Sequence, residues 1–162
     1  MYRFYDKKIE NPNAGYTKHV IFMFYEKERK PVSAITLVKF KKDLTDWIMI
    51  SELQTADEYE GRGFATKLLN SSLKKLKEDH PDKNNFLVVY PDTDMVSFYE
   101  SFEFHTVPGI LLHDMFPFMV YGYPTPERMS QLEAYGIQAA DAILDIPQLH
   151  GTRSDSGNQK SI

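Results

Sequence analysis

The sequence predicts a mixed α/β (α+β) domain, and three observations carry that expectation. The first half alternates β-branched and aromatic runs with short charged turns. From Phe64 to about Glu78 the apolar residues change to the three-and-four spacing of an amphipathic helix. A short apolar run of the buried-strand kind, Asn85 to Tyr90, follows it.

Each element has its own signal. Val20 to Tyr25 reads as a strand that ends at the charged block Glu26 to Pro31, and Val32 to Phe40 resumes extended character, which together predict a hairpin. Trp47 to Thr55 predicts a third strand, with Ile48, Ile50 and Glu52 on one face and Met49, Ser51 and Leu53 on the other. The helix places Ala65, Leu68, Leu69, Ser72, Leu73 and Leu76 on its apolar face, and His80-Pro81-Asp82 stops it. A strand, helix, strand unit of this length implies two neighbouring parallel strands joined by a right-handed crossover. After Pro91 a short second helix is expected, with Asp92 or Thr93 as its cap and Met95, Phe98, Tyr99 and Phe102 as one stripe. Phe102 to Val107 and Met115 to Tyr123 predict a final pair of strands, and a helix is expected from Pro126. The polar stretch from His150 predicts a disordered tail, 150–162, behind a single domain, 1–149.

Composition removes several function classes. A chain of 162 residues that is 42% hydrophobic and 14% aromatic can bury one substantial core. A formal net charge of -4 argues against nucleic acid as a partner, because phosphate contacts call for a basic surface. The lack of cysteine excludes disulfides, thiolate metal sites and a cysteine acyl-enzyme. No apolar stretch approaches the roughly 20 residues that span a bilayer, and the first residues lack a signal core, so a cytoplasmic protein without a membrane partner is expected. His105, His113 and Asp114 match no common zinc spacing, so no metal is expected there.

The chemistry gathers where the third strand meets the long helix. Glu60-Gly61-Arg62-Gly63-Phe64-Ala65-Thr66 puts two glycines and small residues at a helix start, leaving backbone amides accessible at the positive end of the helix dipole. Such a turn cradles a phosphate or pyrophosphate. No Gly-Lys-Ser/Thr follows, so it is not a Walker A loop, and the third glycine of the Rossmann fingerprint is missing.

Here the sequence resembles a family. Glu60 to Ala65 is similar to the R/Q-x-x-G-x-G/A loop of the GNAT acyltransferases, and Asp92 to Phe104 resembles their N-x-x-A-x-x-x-Y-x-x-x-G-F segment, with Tyr99 on the tyrosine and Phe104 on the phenylalanine. The resemblance covers about residues 20 to 123. It implies a GNAT-like mixed, splayed, largely antiparallel sheet flanked by helices, with a central parallel β-α-β unit and acetyl-CoA as co-substrate. It also implies that backbone groups of Leu53, Gln54 and Thr55 pair with the pantetheine arm, while amides of Gly61, Arg62, Gly63, Phe64, Ala65 and Thr66 hold the pyrophosphate. Tyr99 would be the acid that protonates the departing thiolate. Asp92 would lie beside the cofactor cleft or serve only as a helix cap.

The departures from the pattern are specific. Glu60 stands where arginine or glutamine is usual, and a carboxylate near a pyrophosphate is repelled by about 1 kcal/mol at ~4 Å in water, which Arg62 can offset. Glu103 replaces the glycine of the second motif. The segment before Val20 is too short for the two helices that often wall the acceptor side of the cleft. Glu52 is the candidate general base, with a solvated strand-face carboxylate as the alternative. The expected activity is transfer of an acetyl or short acyl group to a primary amine of a small molecule or protein. The alternative is a non-catalytic acyl-CoA-binding or protein-interaction module. A homodimer through the final aromatic strand is compatible with either.

Overall fold

The computed structural model describes residues 1–11, 13, 15–42, 45–79, 85–112, 115–122, 125–127 and 129–134. These fall into two compact units, one running from Met1 to Asn85 and one beginning at Phe86.

The first unit is an antiparallel meander of β1 (Tyr2–Asn11), β2 (Tyr16–Tyr25), β3 (Ser33–Lys42) and β4 (Thr45–Thr55), with α1 (Phe64–Asp79) packed against β3 and β4. The predicted hairpin is β2–β3, and β1 is an additional edge strand. No helix precedes β4 among the described residues, so the acceptor-side helices anticipated as too long for the segment are replaced by the β1–β2 hairpin. α1 forms where the apolar period requires it. Phe64, Ala65, Leu68, Leu69, Ser72 and Leu73 are buried, and Ser72 donates its hydroxyl proton to the Leu68 carbonyl at 2.8 Å, which satisfies the one polar group on that face. Tyr2 and Asp6 of β1 meet Phe64 and Lys75 of α1, so the even-numbered face of β1 lies under the helix.

The ladder between β3 and β4 contains a bulge. Leu37 pairs with Ile50 and Thr36 with Glu52, leaving Ser51 as the extra residue, its hydroxyl donating to the Thr36 carbonyl at 3.4 Å. This corrects the expected alternation. Paired residues share a face, so Ile48, Ile50, Leu53 and Thr55 face α1, whereas Trp47, Met49, Glu52 and Gln54 lie on the opposite face.

The second unit pairs β5 (Asn85–Val89), β7 (Phe116–Tyr121) and β6 (Phe104–Leu112) antiparallel in that order. Between β5 and β6 lie a 3-10 turn, Thr93–Met95, and the one-turn helix α2 (Val96–Glu100). The strand β6 runs five residues beyond the predicted Val107, because Pro108, Gly109 (φ 83) and Ile110 are accommodated as an irregularity before Leu111 rejoins β7. Residues near Pro126 are helical as expected, with Met129 donating to the Thr125 carbonyl at 2.8 Å. Pairing within both units is antiparallel, and β4, α1 and β5 follow in the strand, helix, strand order anticipated. The expected tail lies outside the described residues, as do His113, Asp114 and Tyr123.

Glu103, at the glycine position of the second motif, has φ 69. A side chain in the left-handed region costs about 1–2 kcal/mol, which explains why glycine suits this turn. Glu103→Gly is expected to stabilise the protein by about 0.5–1 kcal/mol once the greater chain entropy of glycine is set against the relief of strain, read as a higher unfolding temperature.

Candidate active site

The glycine loop has the geometry an anion needs. A 3-10 turn, Asp57–Tyr59, leads from β4 into Glu60, and Gly61 (φ 73) and Gly63 (φ 80) both adopt left-handed backbone that only glycine enters without strain. A Cβ at either glycine would meet nothing within 4 Å, so the space over the loop is open. The first helical bond of α1 runs from the Lys67 amide to the Gly63 carbonyl at 3.1 Å, so the amides of Gly63, Phe64, Ala65 and Thr66 precede the ladder at the positive helix end. The first turn of α1 holds no acidic residue. Oε1 of Glu60 is buried, which holds that side chain against the protein.

Arg62, between the two glycines, is exposed, yet its guanidinium carbon lies 5.2 Å from the ring centre of Tyr59, 5.4 Å from Phe64 and 5.7 Å from Tyr25. Sequence reasoning missed the two tyrosines, because Tyr25 comes from β2 and Tyr59 from the turn after β4.

The end of β4 supplies two kinds of backbone group. Ala56 donates to the Val32 carbonyl at 2.9 Å, and by the antiparallel alternation Gln54 turns its backbone groups toward β3 while Leu53 and Thr55 turn theirs to the other edge. The Gln54 carbonyl also accepts the Ser33 hydroxyl at 2.6 Å, and that hydroxyl lies 3.0 Å from Thr55 Oγ1. Of the three residues expected to meet pantetheine, Leu53 and Thr55 thus have outward-facing amides and carbonyls, and Gln54 is engaged with β3.

Glu52 is half-buried on the face opposite α1, and the Gln54 side-chain amide donates to its Oε1. Burial pushes its carboxyl above the usual carboxylate range, and Lys18, on the same face of β2, pulls the other way. The face around it carries Thr36, Val20, Phe22 and the 60% exposed Tyr5.

In the second unit Tyr99 is 4% exposed and makes edge contacts with Phe98 at 5.3 Å and Phe104 at 5.4 Å. Burial, and then the negative charge of Asp92, raise its phenol above the ordinary tyrosine value, so it stays protonated across the neutral range. Asp92 precedes the 3-10 turn and its carbonyl accepts the Met95 amide at 2.8 Å, but its side chain makes no capping hydrogen bond. Among the described residues no three His, Asp or Glu side chains are grouped to hold a metal, and no helix is long and apolar enough to cross a membrane.

Comparison with known proteins bears on this arrangement. The family description "Acetyltransferase (GNAT) domain" matches residues 4–119. No curated protein matches the chain by sequence. Among solved structures, ElaA of Escherichia coli is similar with a TM-score of 0.54 at 20% identity, over 64% of this chain and 68% of that one. A bacterial toxin is similar with a TM-score of 0.54 at 14% identity, over 80% of this chain and 73% of that one. Nourseothricin acetyltransferase is similar with a TM-score of 0.51 at 11% identity, over 76% of this chain and 99% of that one. At these identities the structures establish a shared fold, mixed α/β with a largely antiparallel sheet, and the family match extends over most of the sequence. The chain therefore belongs to the GNAT acetyltransferases, a family that transfers acyl groups from acyl-CoA, with acetyl-CoA as co-substrate.

Proposed function

We propose that this protein is an N-acetyltransferase that moves an acetyl or short acyl group from acetyl-CoA directly to a primary amine, with residues 1–149 acting as one catalytic domain in the cytoplasm. The observation that carries the proposal is the glycine loop: left-handed Gly61 and Gly63, open space above them, and α1 amides ahead of the helical ladder. In this reading Gly61 to Thr66 hold the pyrophosphate, while outward backbone groups of Leu53 and Thr55 hold the pantetheine arm. Gln54 steadies Glu52 through its side chain.

The protonated amine first gives a proton to Glu52, the freed lone pair of its nitrogen attacks the thioester carbonyl, and the C–N bond forms as the C–S bond breaks. Tyr99 donates a hydrogen bond to the sulfur as charge builds, and the thiolate takes a proton as it leaves. The nitrogen sheds its second proton as the amide forms, which balances the one taken up by CoA, and the first passes from Glu52 to solvent. The net negative charge of the chain favours encounter with cationic amines.

The test is calorimetric titration with acetyl-CoA, followed by an amine screen that reads release of free CoA thiol. Binding with turnover supports the enzyme. Glu60, a carboxylate in the phosphate loop, favours a second reading, a non-catalytic acyl-CoA-binding module, which binding without turnover on any amine would support.

Glu52 also makes a pH-dependent prediction. It accepts a proton only when ionised, so kcat/KM is expected to fall as pH drops through a pKa raised by burial, an acid limb that Glu52→Gln removes along with most activity. The raised pKa means that protonated Glu52 favours the folded state, a contribution present below the unfolded pKa and lost as pH rises through the folded one. Glu52→Gln should therefore raise the unfolding temperature at neutral pH, with the gain shrinking in acid.

A further inference from the structure

We propose that Tyr2, Tyr25 and Tyr59, together with Phe64, form a platform that holds Arg62 and Lys67 beside the glycine loop as preset counter-charges for the phosphate groups of acyl-CoA. The proposal rests on the acyl-CoA reading above. Its residues all belong to the first unit.

The rings form a continuous cluster. Tyr2 and Tyr25 are 5.5 Å apart, and Phe64 lies 5.7 Å from Tyr2, 5.4 Å from Tyr25 and 5.8 Å from Tyr59. Arg62 lies over three of the rings, and the Lys67 ammonium lies 4.7 Å from the centre of the fourth, Tyr2. Glu26 lies beside the phenol of Tyr25, and Glu28 beside that of Tyr59. Arg3 of β1 in turn donates to the Glu28 carbonyl at 3.1 Å. The turn between β2 and β3 thus braces the rings, and the rings brace the cations.

Arg62 and Lys67 bring positive charge to the start of α1, and the carboxylates of Glu26, Glu28 and Glu58 lie beside the same tyrosines as Arg62. The start of α1 is the positive end of its dipole, its first turn carries no acidic residue, and Arg62 and Lys67 add two more positive charges there. Left to itself, a long exposed cation samples many rotamers, some of them toward those carboxylates. Ring faces attract it instead, by about 0.5–1 kcal/mol at an exposed site, and keep it beside the loop. An arginine or lysine ordered on binding loses up to about 2 kcal/mol of rotamer freedom, so cations ordered beforehand bind an anion at a smaller entropic cost.

Tyr25 and Tyr59 are therefore positioning residues, acting through Arg62. The experiment titrates acetyl-CoA and, in parallel, acetyl-pantetheine, which carries the same thioester arm without phosphates. Arg62→Ala and the double variant Tyr25→Leu/Tyr59→Leu are expected to weaken acetyl-CoA binding by about fivefold to tenfold, with acetyl-pantetheine unchanged. The pair Tyr25→Phe/Tyr59→Phe keeps the ring faces and should stay within about twofold of wild type. Added salt should narrow the gap between wild type and Arg62→Ala. Leucine variants that lose both ligands equally would show the rings to be merely structural and overturn the platform. So would wild-type affinity for acetyl-CoA in Arg62→Ala, an exposed substitution that leaves the fold intact. Failure of the wild-type protein to bind acetyl-CoA at all would overturn the acyl-CoA reading as well, which separates the two failures.

Discussion

Gly63→Glu is expected to weaken acetyl-CoA binding on the order of a hundredfold while the protein remains folded. Two effects add. Gly63 has φ +80, where any side chain is strained by about 1–2 kcal/mol, and the loop relieves that strain by moving its amides out of position. The new carboxylate also projects into the open space that the proposal assigns to the pyrophosphate, with like-charge repulsion of about 1 kcal/mol at ~4 Å even when water-screened. Together these amount to about 2–3 kcal/mol, roughly a thirtyfold to 160-fold loss of affinity. Gly63→Ala separates the contributions. It carries the strain without the charge, and with nothing within 4 Å of its Cβ it introduces no clash, so it should bind acetyl-CoA with an intermediate affinity. Equal binding by all three proteins in titration calorimetry would remove the loop from the site.

The second large effect is expected for Tyr99→Phe, with kcat reduced by about 10²- to 10⁴-fold, the usual range for loss of a positioned general acid. Acetyl-CoA affinity should be retained, because the ring and its edge contacts with Phe98 and Phe104 remain. The pH profile adds a discriminating feature. Burial and Asp92 raise the phenol's pKa, so the wild-type enzyme should show no alkaline limb from Tyr99 near neutrality. Asp92→Asn removes the charge that contributes to this shift and is expected to lower the phenol's pKa, visible as a shifted tyrosinate absorbance titration. Unchanged kcat in Tyr99→Phe would leave Tyr99 as an ordinary member of an aromatic core stripe.

What the sequence revealed and concealed follows from how far apart the interacting residues lie. α1 was legible to within a residue because its buried positions recur within the helix itself, and the loop before it was legible because glycine marks left-handed backbone. The strand β1 was not. Its side chains are exposed from Tyr2 to Glu10, so it lacks the half-buried alternation that identifies a strand and exists through its ladder with β2. Pro108 and Gly109 looked like the end of β6, but the strand rejoins β7 at Leu111. The expected faces of β4 failed at Ser51, because an inserted residue is visible only against its partner strand. Tyr2, Tyr25 and Tyr59 are separated by 23 and 34 positions, and no local pattern connects them to Arg62. Tyr99 and Glu52 were named from motif and strand position, and their raised pKa values come from burial that a linear pattern does not report.

The bulge at Ser51 works as a register lock. An unbroken strand that slips by one residue exchanges its two faces in a single movement. In β4 the halves on either side of Ser51 are out of step, with Ile48 and Ile50 in one phase and Leu53 and Thr55 in the other, and both of these pairs are buried on the α1 face. Sliding the second half by one residue would turn Leu53 and Thr55 away from α1 and bring polar neighbours such as Glu52 or Gln54 toward it. The strand therefore has one alignment with β3 in which all four of those side chains stay covered, and in that alignment the half-buried Glu52 carboxylate is committed to the face away from α1.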